Sequence, residues 1–130
     1  MTERKLTRPI QHTFTLESAH RLTKVPPGHK CARIHGHHWR VVVHIVGDDT
    51  LDDAGMVVDF DRIKEAFAPI HAVLDHNYFN DVPGLDNPTS ENVAEWIFKR
   101  LALNMKTNGI YCHLDHVDVH ETDHSGASYP

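Results

Sequence analysis

The stretch His35-Gly36-His37-His38-Trp39-Arg40-Val41-Val42-Val43-His44-Ile45 has the alternating pattern of a β-strand. Successive side chains of a strand point to opposite faces, so its odd-numbered positions share one face. That face begins with His35 and His37 and continues with one aromatic and three aliphatic residues. The sequence therefore predicts a strand that buries its second half and presents two imidazoles from its first half.

A second alternating run lies just upstream, where one face carries His12, Phe14, Leu16, Ser18 and His20. The Pro26-Pro27-Gly28 cluster marks the loop between the two strands. His20, at the end of the upstream strand, is the best candidate for a third imidazole beside His35 and His37. Zinc takes nitrogen ligands at about 2.0–2.1 Å, and three histidines with an open fourth position describe a catalytic zinc site.

Two helices are predicted further along the chain. A polar turn over 48–55 is expected to close a long hairpin, and Asp59 then caps a helix in which Pro69 should produce a kink or a split. Thr89 or Ser90 caps a second helix, which ends at Gly109. Apolar residues recur at three- and four-residue steps in both: Phe60, Ile63, Phe67, Ile70 and Leu74 in the first, and Val93, Ile97 and Leu101 in the second.

The C-terminal part returns to strand. The stretch 110–121 is expected to place Tyr111, Val117, Val119 and Glu121 on one side, and a short edge strand follows around Ser128 and Tyr129. The predicted order is ββααββ. The fold class is therefore α+β, an antiparallel sheet with two helices on one face, in a single domain spanning residues 1–130.

Length and composition narrow the range of possible folds, binding partners and cellular locations. A chain of 130 residues is too short for a (β/α)₈ barrel, and its net charge of −5 argues against broad nucleic-acid binding. The first fifteen residues contain no apolar run, so we expect neither a signal peptide nor a membrane span. Two cysteines cannot form a disulfide framework, which favours a reducing cytosol.

A basic segment surrounds the histidines. Between Ser18 and Gly47 the sequence has no acidic residue, and five cations lie there: Arg21, Lys24, Lys30, Arg33 and Arg40. Clustered positive charge raises the local concentration of anions, so this segment is either a binding surface for an anionic ligand or a solvated face.

The sequence leaves two interpretations open for the chemical role of the Cys31 thiol. It is either a fourth ligand, which would close a structural Cys-His₃ site, or a nucleophile or base beside an open metal site. Two interpretations are also open for Asp75-His76. It is either a carboxylate–imidazole pair for proton transfer or a helix C-terminus at which the helix dipole favours a histidine. We assign the remaining histidines downstream to surface or structural positions: His44, His71, His113, His116, His120 and His124.

Several blocks together resemble the 6-pyruvoyltetrahydropterin synthase superfamily from about residue 14 to residue 129. They occur in the order seen in that superfamily: Phe14-x₃-Ser18-Ala19-His20-Arg21-Leu22, Cys31-x₃-His35-Gly36-His37, Gly55-Met56-Val57-Val58-Asp59-Phe60, Leu74-Asp75-His76, Pro88-Thr89-Ser90-Glu91-Asn92 and Glu121-Thr122. The short spacer between Cys31 and His35 is most similar to the branch of 6-carboxy-5,6,7,8-tetrahydropterin synthases. The stretch 80–91 also resembles that branch.

The resemblance implies a T-fold, in which trimers join their sheets in a barrel and then stack, commonly as hexamers. It implies active sites between subunits. The substrate would be 7,8-dihydroneopterin triphosphate, converted to 6-carboxytetrahydropterin with release of acetaldehyde and triphosphate, on the route to queuosine.

The resemblance also implies roles for individual residues. His20, His35 and His37 would bind Zn²⁺, and Cys31 would be the general base. Further roles would fall to five more residues: Asp75 and His76 as a second proton-transfer unit, Glu121 as the anchor of the pterin ring linked to that relay, and Thr89 with Ser90 as additional substrate contacts.

Overall fold

Residues 5–130 are described by a computed structural model, and their four strands form one antiparallel sheet in the order β1-β2-β3-β4. The elements are β1 (Arg8–His20), β2 (His35–Gly47), α1 (Phe60–Leu74), α2 (Ser90–Thr107), β3 (His113–His120) and β4 (Gly126–Tyr129). Short 3₁₀ turns lie at Lys30–Ala32 and Phe79–Asp81. The predicted ββααββ order is confirmed. No helix in this part of the chain is long and apolar enough to cross a membrane.

β1 and β2 form a long hairpin that pairs continuously from Arg8 opposite Gly47 to His20 opposite His35. Their connection is the segment 21–34, so the prediction that the turn at 48–55 closes a hairpin is wrong. A turn does form there, because the Asp52 carboxylate accepts the backbone N–H groups of Ala54 and Met56. It leads from β2 into α1 instead of into a paired strand.

The core lies between the sheet and the two helices. β2 contributes the aromatic and aliphatic residues that the alternation predicts, and Trp39 and Val41 are fully buried. Phe14 of β1 stacks on Phe67 of α1, with ring centroids 3.8 Å apart. The helices bury the predicted stripes, except that Phe60 at the start of α1 is 44% exposed. One face of the sheet is therefore covered, while the other carries mostly polar side chains.

Both helices begin where the capping pattern predicts. The Asp59 carboxylate accepts the N–H of Asp61 at 2.8 Å, and the Thr89 hydroxyl accepts the N–H of Asn92 at 3.1 Å. Gly109, with φ of +73°, follows the end of α2 in the left-handed conformation that glycine adopts without steric cost. Pro69 does not split α1, which runs unbroken to Leu74 because apolar residues on either side of the proline are buried in the core.

A β-bulge interrupts the pairing of β2 with β3. His44 lies opposite His116 and Ile45 opposite Leu114, so Asp115 is an extra residue on β3. The prediction that Tyr111 shares a strand face with Val117 is therefore wrong. Tyr111 precedes β3 and is 84% exposed, since the bulge shifts the alternation and the strand begins only at His113.

Truncation of Phe67 tests this packing. The Phe67→Ala variant removes a fully buried ring and its stack on Phe14, so the free energy of unfolding should fall by about 3–5 kcal/mol. Val73 on the same helix is 42% exposed, and Val73→Ala should change the free energy by no more than about 0.5 kcal/mol. Urea unfolding at one protein concentration measures both, and equal losses would contradict the packing described.

Candidate metal centre

Three imidazoles converge where β1 ends and β2 begins. One nitrogen from each of His20, His35 and His37 lies within 4.8 Å of the corresponding nitrogen of the other two. The register explains this, because His20 pairs directly with His35 and the alternation of β2 returns His37 to the same face. The structure thus brings together the three residues that the sequence predicts as ligands.

Backbone carbonyls orient two of these rings. Nδ1 of His20 lies 2.7 Å from the Pro88 carbonyl, and Nδ1 of His35 lies 2.7 Å from the Arg33 carbonyl. A carbonyl oxygen only accepts, so each Nδ1 must be the protonated donor and each neutral ring carries its lone pair on Nε2. Fixing the ring and tautomer through the second nitrogen is the usual arrangement around a metal-binding histidine.

Two Nε2 atoms of the cluster lack hydrogen-bond partners. Nε2 of His20 and Nε2 of His37 are buried and have no hydrogen-bond partner among the described residues. Burial lowers the pKa of both histidines below the ordinary value, which favours the neutral form that binds metals. Buried nitrogen atoms without partners are costly unless something binds them, and a set of three imidazoles suits a divalent zinc-type ion.

Glu121 lies beside the cluster, just after β3. Its Oε2 is 3.3 Å from Nε2 of His37 and 3.7 Å from Nε2 of His20. Its side chain is 30% exposed, so part of the carboxylate is open to a ligand. The structure therefore brings Glu121 to the predicted site, although spacing in the sequence alone gave no reason to select it.

Cys31 lies in the loop between β1 and β2. The loop is anchored by a 2.8 Å hydrogen bond from the N–H of Leu22 to the Cys31 carbonyl, and His29 accepts the N–H of Cys31 at 3.0 Å. Cys31 is partly exposed, carries a free thiol and does not belong to the group of mutually close ligand atoms. In this geometry the three histidines stand without a cysteine ligand.

Asp75 and His76 lie at the outer edge of β1. One oxygen of Asp75 accepts the N–H of Glu17 at 2.9 Å and the other lies 2.7 Å from Nδ1 of His76. These hydrogen bonds, the one from Glu17 first, lower the pKa of Asp75 and keep it ionised. His76 has φ of +55°, which is unusual for a residue other than glycine, and its side chain is 76% exposed.

No contact among the described residues joins the Asp75–His76 pair to the three histidines of the same chain. The pair is pre-oriented, and the left-handed conformation of His76 directs an imidazole to the solvent. Uncommon backbone conformations of this kind cluster at functional sites.

Thr89 caps α2 and Ser90 is its first residue. Both follow Pro88, whose carbonyl accepts a hydrogen bond from His20 of the cluster. The Thr89 hydroxyl is the cap of the helix. Ser90 is 7% exposed, and its hydroxyl has no hydrogen-bond partner in the described part of the chain. Ser90 therefore retains a hydroxyl without a hydrogen-bond partner two residues after Pro88, whose carbonyl contacts the cluster.

The sequence analysis missed a second group of ligand-type side chains. His44, His116 and Asp118 lie together on the opposite face of the sheet. Two of them were assigned to surface or structural positions. The signal that could have found them is the pairing of His44 with His116, which depends on the bulge and is not visible in the sequence.

The chain matches the family described as 6-pyruvoyl tetrahydropterin synthase over residues 9–130. It is 40% identical over 126 residues to a 6-carboxy-5,6,7,8-tetrahydropterin synthase of Synechocystis, covering 92% of this chain and 91% of the relative. A protein of the same name from Bacillus subtilis is 30% identical over 111 residues, covering 75% and 73% of the two chains.

The fold also matches a solved structure. The 6-pyruvoyl tetrahydropterin synthase of Caenorhabditis elegans superimposes with a TM-score of 0.82 at 25% identity, covering 99% of this chain and 98% of the other. The predicted T-fold is therefore confirmed for the single chain.

Adjacent histidines provide a matched test of the metal centre. His37 faces the cluster, whereas His38 points to the other face, is 64% exposed and contacts Glu17. His37→Ala should weaken Zn²⁺ binding at the cluster by more than the roughly 10–100-fold that loss of an outer-shell partner costs. His38→Ala should leave it unchanged. Competition with a chromophoric chelator measures both affinities, and an unaffected His37→Ala variant would refute the ligand assignment.

Proposed function

Because this chain belongs to the 6-pyruvoyl tetrahydropterin synthase family, we propose that it is a zinc-dependent lyase acting on 7,8-dihydroneopterin triphosphate. Its products would be 6-carboxy-5,6,7,8-tetrahydropterin, acetaldehyde and triphosphate, in a step of queuosine biosynthesis. The coarser prediction, a pterin synthase-type lyase, is confirmed by the relatives at this coverage. A cytosolic location and the Zn²⁺ cofactor stay predictions.

The observation that carries the proposal is the three-histidine cluster with Glu121 beside it and Cys31 outside the ligand group. Three protein ligands leave a coordination position for a substrate, whereas four close the site. The carboxy branch is favoured over the pyruvoyl branch by the 40% identity to the Synechocystis protein, compared with 25% to the Caenorhabditis elegans protein.

His20, His35 and His37 would hold the ion, their Nε2 atoms oriented as the carbonyl hydrogen bonds require. When bound, zinc supplies Lewis-acid chemistry, polarising oxygen atoms of the substrate side chain and lowering the cost of negative charge there. The Nε2 atoms without partners on His20 and His37 support this assignment.

Glu121 would anchor the pterin ring. A carboxylate accepts hydrogen bonds from two neighbouring N–H groups of such a ring, and the partly exposed Glu121 has that capacity. The buried hydroxyl of Ser90, which lacks a partner, would bind a ring heteroatom, and the Thr89 hydroxyl would add a donor. Substrate binding would thereby satisfy a polar atom that the chain leaves unsatisfied.

Cys31 would act as the general base that removes a proton from the substrate side chain. The Asp75–His76 pair would transfer the second proton. Since His76 lies on the outer edge of β1, it would serve the site of a neighbouring subunit in a trimer. The hydrogen bonds that hold Asp75 ionised would keep Nδ1 of His76 protonated and present Nε2 to the substrate.

The loop around Cys31 would attract the triphosphate. Its four cationic side chains are exposed, and none has a carboxylate partner among residues 5–130: Arg21, Lys24, Lys30 and Arg33. Concentrated positive charge beside a binding site raises the local concentration of polyanions. Loss of triphosphate from the carbanion that Cys31 creates would leave a side-chain carbonyl next to the ring. Addition of one water molecule to that carbonyl and cleavage of the bond to the next carbon would release acetaldehyde and leave the carboxylate.

Product analysis tests the proposed reaction. The zinc-loaded protein is incubated with 7,8-dihydroneopterin triphosphate and the products are identified by mass, with a chelated sample as control. We expect a carboxypterin and acetaldehyde, both lost on chelation. A pyruvoyl product would assign the chain to the sister activity of the family, and absence of turnover with zinc bound would favour a structural zinc module.

The two cysteines provide a matched test of the base. Cys31→Ala should lower kcat by about 10²–10⁴-fold, the usual contribution of a general base, while Zn²⁺ stays bound. Cys112→Ala should retain activity, because Cys112 is near the start of β3 at the other end of the sheet. Loss of Zn²⁺ from the Cys31→Ala variant would instead identify Cys31 as a ligand.

A further inference from the structure

A second cluster of ligand-type side chains lies on the face of the sheet that the helices leave open. Nε2 of His44 is 2.7 Å from Oδ2 of Asp118, and Nε2 of His116 is 3.6 Å from Oδ1 of the same residue. The two imidazoles stack with centroids 3.9 Å apart and an interplanar angle of 12°. Cross-strand pairing fixes this arrangement, because His44 lies directly opposite His116.

The bulge on β3 adds an outer partner to the cluster. Consecutive residues of a regular strand point to opposite faces, so Asp115 would normally face away from His116. As the extra residue of the bulge, Asp115 instead places Oδ2 2.6 Å from Nδ1 of His116. His116 therefore donates from Nδ1 to a carboxylate and keeps its lone pair on Nε2, the tautomer of a histidine prepared to bind a metal.

The carboxylate of the cluster is held as well. The Ser128 hydroxyl on β4 donates to Oδ1 of Asp118, which leaves Oδ2 beside His44. Partial burial alone would raise the pKa of Asp118, but the hydrogen bonds from Ser128 and His44 and the nearby imidazoles outweigh it and lower the pKa. Asp118 is therefore an anionic ligand at neutral pH.

We propose that His44, His116 and Asp118 form a second binding site for a divalent transition-metal ion, separate from the three-histidine centre. Two imidazoles and one carboxylate suit Zn²⁺ and its first-row neighbours better than Mg²⁺ or Ca²⁺, which prefer oxygen ligands alone. The three side chains are between 21% and 31% exposed, so an ion could enter from solvent and keep water in its remaining positions.

Binding an ion there would require His44 to change tautomer. Nε2 of His44 is a donor in its 2.7 Å hydrogen bond to Asp118, so coordination through that atom requires its proton to leave. The neutral Nε2 of His116 needs no such loss. That proton can move to Nδ1 of the same neutral ring, so binding through His44 changes its tautomer without net release of a proton.

The number of ions bound per chain tests the proposal. The metal-free protein is titrated with Zn²⁺ by calorimetry, and bound zinc is counted by elemental analysis after gel filtration. We expect two equivalents per chain for the wild type and one each for His116→Asn and His37→Ala. The control His120→Asn, on the same strand and face but outside the cluster, should keep two.

Co²⁺ gives a direct view of the second site in the His37→Ala variant, where the first site is disabled. A visible d–d spectrum that is present in His37→Ala and absent when His116→Asn is added would support the site. One equivalent in the wild type would overturn the proposal, as would two equivalents in His116→Asn. Circular dichroism checks that each variant is folded. The number of zinc ions bound per wild-type chain tests the proposal even where a variant does not fold.

A substitution at Asp115 tests whether the cluster is a pre-oriented metal site or only a chance pair of neighbouring histidines. Asp115→Ala removes the outer partner of His116 and no ligand, so the affinity of the second site should fall by about 10–100-fold. The affinity of the three-histidine centre should not change. An Asp115→Ala variant with unaltered Zn²⁺ affinity at both sites would contradict the role assigned to the bulge.

Discussion

The antiparallel pairing of β1 with β2 places His20 opposite His35, and the candidate metal centre depends on this alignment. Because side chains alternate along a strand, a slip of one residue would turn His20 to the opposite face and separate it from His35 and His37. The same slip would move Leu16 out of the core, in which it is now 1% exposed. The register that buries apolar surface is thus also the register that assembles the imidazoles.

Much of the fold could be predicted because its signals are local. Alternation identified β1 and β2, and the caps at Asp59 and Thr89 identified where the helices begin. The errors concern features that are not local. Turn chemistry at 48–55 was read correctly, but it does not show which elements a turn connects. The position of Tyr111 depends on the bulge opposite His44, which arises only when the strands pair.

The candidate metal centre could be predicted from the sequence to a similar extent. Alternation alone placed His35 and His37 together, whereas the hydrogen bond from His20 to the Pro88 carbonyl spans 68 residues of sequence. Glu121 entered only through resemblance to a family, and its position 3.3 Å from His37 follows from the path of the chain after β3. Residues brought together by pairing across strands are invisible to patterns within one strand.

The carbonyls that orient the imidazoles have a thermodynamic consequence. Those of Arg33 and Pro88 belong to two separate loops, and each loop is held against a ring of the cluster. An ion that fixes the rings would also reduce the conformational freedom of both loops. By reciprocal linkage, a ligand that orders these loops would tighten retention of the ion by the same factor. Binding of the metal and binding of the substrate would then be coupled equilibria, because both would order the same two backbone loops.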